Sequence, residues 1–112
     1  MADRQDGALL VQLSQWGSAM GIEEALHVVL ADDFDSEAAS VEDILVSRLL
    51  GWGETIGTLT KNGLLDTDLV LDWLWLSGIW ARVGPAARKQ RDKQGVPQLF
   101  ENFEALAAKQ GS

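Results

Sequence analysis

Hydrophobic residues recur at helical spacing along most of the chain. Between residues 45 and 59, five apolar side chains follow one another at alternating steps of four and three. This spacing puts them on one face of an α-helix, whereas a half-buried strand would need alternation at every second residue. No stretch shows sustained alternation, so the pattern predicts a single all-α domain over residues 1–112, with five or six helices. The predicted central face consists of Leu45, Leu49, Trp52, Ile56 and Leu59.

Capping residues mark the ends of this central helix. Ser40 and Asp43 have the spacing of a capping box, in which two side chains pair with free backbone amides at a helix start. Gly63 follows the last turn and can adopt the left-handed backbone conformation that closes many helices. These signals predict a helix over about residues 40–62.

The next segment, residues 67–83, is apolar on nearly every side. It is predicted as one helix capped by Asp66 and ended by Gly84 and Pro85, after which a short basic helix starts. Because a helix of this kind must be surrounded, we expect it at the centre of the fold or of a subunit interface. The short connection makes it an antiparallel neighbour of the preceding helix, with terminal helices covering the pair.

The terminal helices have weaker patterns. Two helices are predicted near the N-terminus, over about residues 6–16 and 22–31, because glycines interrupt the apolar repeat between them. A last helix is predicted over about residues 98–109. The final residues, 110–112, are expected to be frayed, as chain termini often are.

Five tryptophans are many for 112 residues, and all five lie within helical apolar patterns. Trp73 and Trp75 are two positions apart, so on one helix they point about 200° apart and cannot both face a small core. One of them is therefore expected to contact a neighbouring chain, since tryptophan is enriched at interface hot spots. The alternatives are core packing and a ligand pocket. The candidate interface or pocket residues are Trp52, Trp73, Trp75, Ile79 and Trp80.

Two further features of the central helix concern its contacts. Gly53 and Gly57 are four residues apart, which favours a close helix crossing that receives Trp73 or Trp80, although a kinked helix is the alternative. Glu54 lies on the polar face, with no nucleophile or second acid nearby in sequence. It is expected to form an ion pair with Arg82 or Arg91.

Charge limits the possible partners. The chain has 17 acidic and 9 basic residues, for a net charge of −8. Residues 1–80 contribute −11 and residues 81–112 contribute +3. The overall charge disfavours nucleic acid and anionic membranes, and the longest apolar run is too short to span a bilayer. We therefore expect a cytoplasmic protein with no nucleic-acid or membrane partner, in which the basic cluster pairs with the acidic half or with a second subunit.

The sequence lacks the residues that several common catalytic and metal sites require. There is no cysteine and only one histidine, His27, so thiolate sites and multi-histidine metal sites are excluded. Asp33, Asp35 and Glu37 alternate like the start of a calcium loop, but the required glycine and the final glutamate are absent. We expect no catalytic residue, no metal and no cofactor.

Several motifs in the second half resemble a known family. They are Glu54-Thr55-Ile56-Gly57, Lys61-Asn62-Gly63-Leu64-Leu65-Asp66, and Phe100-Glu101-Asn102-Phe103-Glu104-Ala105-Leu106, together with Trp80, Pro85 and Arg91. Over about residues 45–108 the chain is similar to a family of small bacterial helical proteins known as domain of unknown function 4760. The resemblance implies a helical fold and, since that family has no established activity, it transfers no catalytic residue.

Together these observations favour a non-enzymatic interaction or regulatory module. Its expected state is a homodimer that uses the tryptophan-rich helix, with a further protein partner of unknown identity. Two alternatives remain open. One is an acidic inhibitor, such as an antitoxin, an immunity protein or a nucleic-acid mimic, and the other is a small-ligand binder with a Trp-lined pocket.

Overall fold

The computed structural model describes residues 2–111 and confirms an all-α fold. The described residues form six helices and no strand. The helices are α1 Arg4–Met20, α2 Ile22–Val29, α3 Ile44–Lys61, α4 Thr67–Trp73, α5 Leu76–Gln94 and α6 Glu101–Gln110. None of these helices is both long enough and apolar enough to cross a bilayer.

Helix α3 is the centre of the packing. It contacts α6 most extensively, and it also packs against α2, α5 and α1. The predicted face of α3 supplies Leu49, Trp52 and Ile56 to the core, because the spacing of these residues turns them to the same side. The side chains around them come from all six helices. Fully buried members from outside α3 are Val29, Leu65, Val70, Leu76, Val83 and Phe103.

The predicted helix over residues 67–83 is wrong, because the structure divides this segment into α4 and α5. At the break, Leu74 is extended (φ −124°, ψ 141°) and Trp75 is also non-helical (φ −87°, ψ 69°). A break of this kind leaves backbone groups without helical partners. The Gln110 side chain supplies those partners: its Nε2 donates to the carbonyl oxygens of Leu71 and Leu74 at 2.9 and 2.7 Å, and its Oε1 accepts the Ser77 amide at 2.8 Å.

These bonds also correct the expected fraying of the C-terminus. Gln110 is the last residue of α6, and its side chain is held against both α4 and α5. Gly111 follows it outside the helix, and Ser112 lies outside the described residues. The last turn of α6 is therefore part of the packed structure, because it completes the backbone hydrogen bonding at the α4–α5 break.

Pro85 does not end its helix, contrary to the prediction. Helix α5 continues through it to Gln94, so the predicted short basic helix is the second half of α5. Proline inside a helix costs about 3 kcal/mol relative to alanine. Packing on both sides of Pro85 offsets this cost, because Val83, Gly84, Ala86 and Ala87 are all buried.

The ends of α3 agree with the prediction in part. Helix α3 begins later than the predicted capping box, because the Asp43 carboxylate accepts the Leu45 amide at 2.9 Å and makes Asp43 the N-cap. The predicted end is confirmed: Gly63 has φ 73°, and the Leu64 amide donates to the Leu59 carbonyl at 2.9 Å. This backbone bond is typical of a left-handed helix termination.

Helix α1 is longer than predicted. It runs through Gly17 to Met20 and ends at Gly21, which has φ 77°. Its start carries a capping box that the sequence analysis missed, in which the Asp3 carboxylate accepts the Asp6 amide and the Asp6 carboxylate accepts the Asp3 amide, both at 2.9 Å. The Asp6 carboxylate also accepts the Asp66 amide at 2.8 Å, so the start of α1 is tied to the start of α4.

Candidate functional site

Two of the five candidate residues, Trp52 and Trp73, form a pair where α1, α3 and α4 meet. Their ring centroids are 5.7 Å apart and the planes are inclined by 79°, which is an edge-to-face contact. Trp52 is buried, and its Nε1 donates to the carbonyl oxygen of Leu13 on α1 at 3.2 Å. Gly17 permits this approach, because a Cβ atom there would lie 3.1 Å from the Trp52 ring. Trp52 is thus held by a hydrogen bond to α1 and by ring contact with Trp73 on α4.

A cleft of about 140 Å³ lies beside this tryptophan pair. Its deep part is apolar, since Ile22 and Trp52 are buried and Leu26, Trp73 and Leu74 are half-buried. Its exposed lining residues carry polar groups and form the mouth of the cleft. They are Ser14, Ser18 and Glu23.

Trp75 occupies a different place. It is 61% exposed, whereas Trp73 two residues earlier is half-buried against Trp52. The two residues face different surroundings, but the predicted separation of about 200° on one helix does not apply, because the α4–α5 break lies between them. The ring of Trp75 covers Gly78 in the first turn of α5: a Cβ atom at Gly78 would lie 2.3 Å from it. The exposed indole is therefore in direct contact with a helix backbone.

Ile79 and Trp80 are core residues of α5. Both are buried, and the Trp80 ring lies 5.1 Å from the Phe103 ring with the planes inclined by 63°. Neither residue lines the cleft beside Trp52 and Trp73. The five candidates are thus divided among a cleft, an exposed ring and the core, and they do not form one site.

The expected ion pair of Glu54 with Arg82 or Arg91 is wrong. The Glu54 Oε1 atom instead accepts the backbone amide of Phe103 at 2.9 Å, in the first turn of α6. Helix α6 needs this contact because its N-cap residue, Phe100, has a left-handed backbone (φ 59°) and no side-chain cap. The Glu54 carboxylate on α3 therefore replaces the missing side-chain cap of α6. The dipole of α6 favours negative charge at this end of the helix.

The two arginines have other partners. Arg82 donates to the carbonyl oxygens of Ala31 and Phe34 at 3.2 and 3.4 Å, in the loop after α2. Arg91 forms an ion pair with Glu104 at 2.9 Å. It also donates through Nε to the Leu99 carbonyl at 2.7 Å, and its guanidinium lies 5.8 Å from the centre of the Trp80 ring.

Lys89 extends the contact between α5 and the loop over residues 30–43. Its Nζ donates to the carbonyl oxygens of Glu37 and Ala39. Lys89 and Arg82 thus bind the acidic loop over residues 30–43 by donating to its backbone carbonyls and not to its carboxylates. Part of the basic cluster in the second half of the chain is therefore engaged within the molecule.

The predicted close crossing at Gly53 and Gly57 exists, but its partner is α6. A Cβ atom at Gly57 would lie 2.5 Å from the backbone of Asn102, and one at Gly53 would lie 2.4 Å from the Phe103 ring. Neither Trp73 nor Trp80 is among the atoms nearest to either glycine, so the expected partner was wrong. The glycines let the N-terminal turn of α6 approach α3 closely enough to reach Glu54.

Across residues 2–111, His, Asp and Glu side chains nowhere gather in threes around a position that could hold a metal ion. The Asp3 carboxyl has a lowered pKa because it accepts the Asp6 backbone amide, with a further contribution from the Asp6 side chain. This shift belongs to the cap of α1. Sequence reasoning also missed the structural role of Gln110, since a lone glutamine near a chain end carries no local signal.

Comparison with known proteins identifies the family. A family model described as "Domain of unknown function (DUF4760)" matches residues 10–110, which extends the resemblance into α1 and α2. Searches of curated proteins and of solved structures found no match to the chain. Because the family match covers most of its length, this chain belongs to the DUF4760 family.

Proposed function

We propose that this protein is a non-enzymatic helical interaction module that self-associates through Trp75. The observation that carries the proposal is the exposure of this indole at the α4–α5 break. Large aromatic side chains at interfaces contribute far more binding energy than most of their neighbours. A ring that is 61% exposed therefore offers an anchor for another protein surface.

The Trp75 ring is also preorganised. It lies against Gly78, and the break that presents it is held by the three hydrogen bonds of Gln110. A side chain that is already ordered loses less conformational entropy on binding, which favours affinity. Trp75 is thus better suited to recognition than a surface side chain that moves freely.

A second copy of the chain is the proposed partner. In a two-fold dimer the same patch faces itself, so one exposed aromatic anchor on each chain supplies both sides of the contact. The proposal assigns no catalytic step. The strongly acidic composition, with a net charge of −8, favours work in the cytoplasm as a soluble protein.

Analytical ultracentrifugation over a range of concentrations tests the proposal, with Trp75→Gln compared with Trp16→Gln. Trp16 is a matched control because it is also exposed, at 40%, but lies on α1. We expect the parent chain and Trp16→Gln to dimerise. Removing a hot-spot residue costs about 2 kcal/mol or more, and the substitution removes one from each protomer. Trp75→Gln should therefore weaken the dimer by about 4 kcal/mol, which is about 1,000-fold. A parent chain that stays monomeric at millimolar concentration refutes self-association, and equal weakening by both variants refutes the role of Trp75.

A further inference from the structure

We infer that the cleft beside Trp52 and Trp73 binds a small aromatic molecule that carries an ammonium group. This site is separate from the proposed self-association surface, because Trp75 does not line it. Residues of four helices, α1, α2, α3 and α4, form the cleft. Leu74, directly after α4, also lines it. Its walls therefore depend on the tertiary structure rather than on a single helix face.

The size of the cleft limits the ligand to about one ring. A cavity of roughly 150 Å³ lined by apolar side chains holds benzene, whereas pockets for drug-sized ligands begin at about 300 Å³. The volume here, about 140 Å³, corresponds to the smaller class. One ring of a ligand fits within the cleft, and any further group must extend beyond its mouth.

The walls of the cleft favour an aromatic ring over an aliphatic or polar group. Trp52 uses its Nε1–H on the Leu13 carbonyl, so it offers the cleft a ring surface and not a free donor. Trp73 stands edge-to-face to it at 79°, which gives the cleft two differently oriented aromatic surfaces. Ring faces carry negative electrostatic potential, so these surfaces attract both aromatic edges and cations.

The mouth of the cleft selects for positive charge. Among the residues that line the cleft, Glu23 is the charged one, and it is exposed beside the hydroxyl groups of Ser14 and Ser18. The neighbouring Glu24 does not line the cleft. Its carboxylate lies near Gly21 instead, where the Arg48 guanidinium also lies. A ring in the cleft with an ammonium at the mouth would thus meet Glu23, and the net charge of −8 on the chain also attracts cations.

The test uses benzylamine and benzoate, two probes of similar size and opposite charge. Binding to the intact chain is measured by chemical-shift changes at the indole N–H groups of Trp52 and Trp73. We expect benzylamine to bind with a Kd of about 1 mM, which is typical of so small a ligand, and benzoate to bind at least 10-fold more weakly.

Variants locate the site. Leu26→Phe fills the cleft and should abolish benzylamine binding, whereas Leu30→Phe, at the C-cap of α2 and outside the cleft lining, should retain it. Ser18→Phe at the exposed mouth should also abolish binding and does not depend on repacking a half-buried side chain. Glu23→Gln should remove most of the preference for benzylamine over benzoate, while Glu24→Gln should keep it.

The inference is overturned if benzylamine causes no shift at either indole, if Ser18→Phe and Leu26→Phe bind as the parent chain does, or if benzoate binds equally well. Because the cleft lies within one chain and Trp75 does not line it, these readouts are independent of the dimerisation measured with Trp75→Gln. Either proposal can therefore fail while the other holds.

Discussion

The Gln110 side chain provides the most direct test of how the α4–α5 break is stabilised. Replacing it with alanine removes one acceptor for the Ser77 amide and the donors to the Leu71 and Leu74 carbonyls. A single intramolecular hydrogen bond contributes about 0.5–1.5 kcal/mol net. The freed groups are partly buried, so water replaces some of these bonds, and we expect Gln110→Ala to lower the free energy of unfolding by about 2–3 kcal/mol.

Urea denaturation followed by circular dichroism measures this change. Gln94→Ala is the matched control, because Gln94 is also the last residue of its helix, α5, but is exposed. Amide hydrogen exchange adds a local readout: the Ser77 amide should lose protection in Gln110→Ala. A second variant, Gln110→Glu, should be at least as destabilising, because it loses both donors and places negative charge against two carbonyl oxygens.

A difference of less than about 0.5 kcal/mol between Gln110→Ala and Gln94→Ala would contradict the reasoning, since surface substitutions away from specific contacts stay within that range. Unchanged protection of the Ser77 amide would contradict it as well. In either case, the break would be stabilised by the packing of the surrounding side chains and not by the glutamine.

Two further predictions concern a glycine contact and a helix cap. Gly57→Ala should lower the free energy of unfolding by about 2 kcal/mol or more in urea denaturation, because its Cβ would meet the Asn102 backbone at 2.5 Å; Gly51→Ala, in open space on the same helix, should raise it by about 0.5–1 kcal/mol. The Asp3 carboxyl should titrate below its ordinary pKa of 3.8 in an NMR titration, because it accepts the Asp6 amide. A carboxyl whose folded pKa is lowered stabilises the fold above its unfolded pKa, so this contribution should disappear as the pH falls through the folded pKa. Equal effects of the two glycine substitutions, or an Asp3 pKa at or above 3.8, would contradict these predictions.

The sequence predicted those parts of the fold that are determined by neighbouring residues. The apolar face of α3 and its end at Gly63 depend on spacing and on one glycine, and both agree with the structure. The break at Leu74 could not be predicted, because the groups that stabilise it come from Gln110, 36 residues away. Likewise, Pro85 is a strong local signal for a helix end, but the packing of buried neighbours overrides it.

The same distinction applies to the candidate site. Trp73 and Trp75 have different surroundings because Trp73 ends α4 and Trp75 precedes α5, so the predicted separation on one helix is not the reason. The pairing of Trp73 with Trp52 depends on how α4 packs, and no local pattern contains that information. For Glu54 the sequence predicted an arginine partner, because opposite charges attract. Its actual partner is the Phe103 backbone amide on α6, and every residue type except proline carries such a donor.

The close approach of α6 to α3 at Gly57 has a consequence for other members of the DUF4760 family. A relative with any larger residue at the equivalent position must place its last helix farther from the central one. In such a relative, the glutamate one turn earlier would no longer reach the amide that Glu54 reaches here, so its last helix would need a cap of its own. A larger residue at this single position would therefore require a different way of attaching the C-terminal helix.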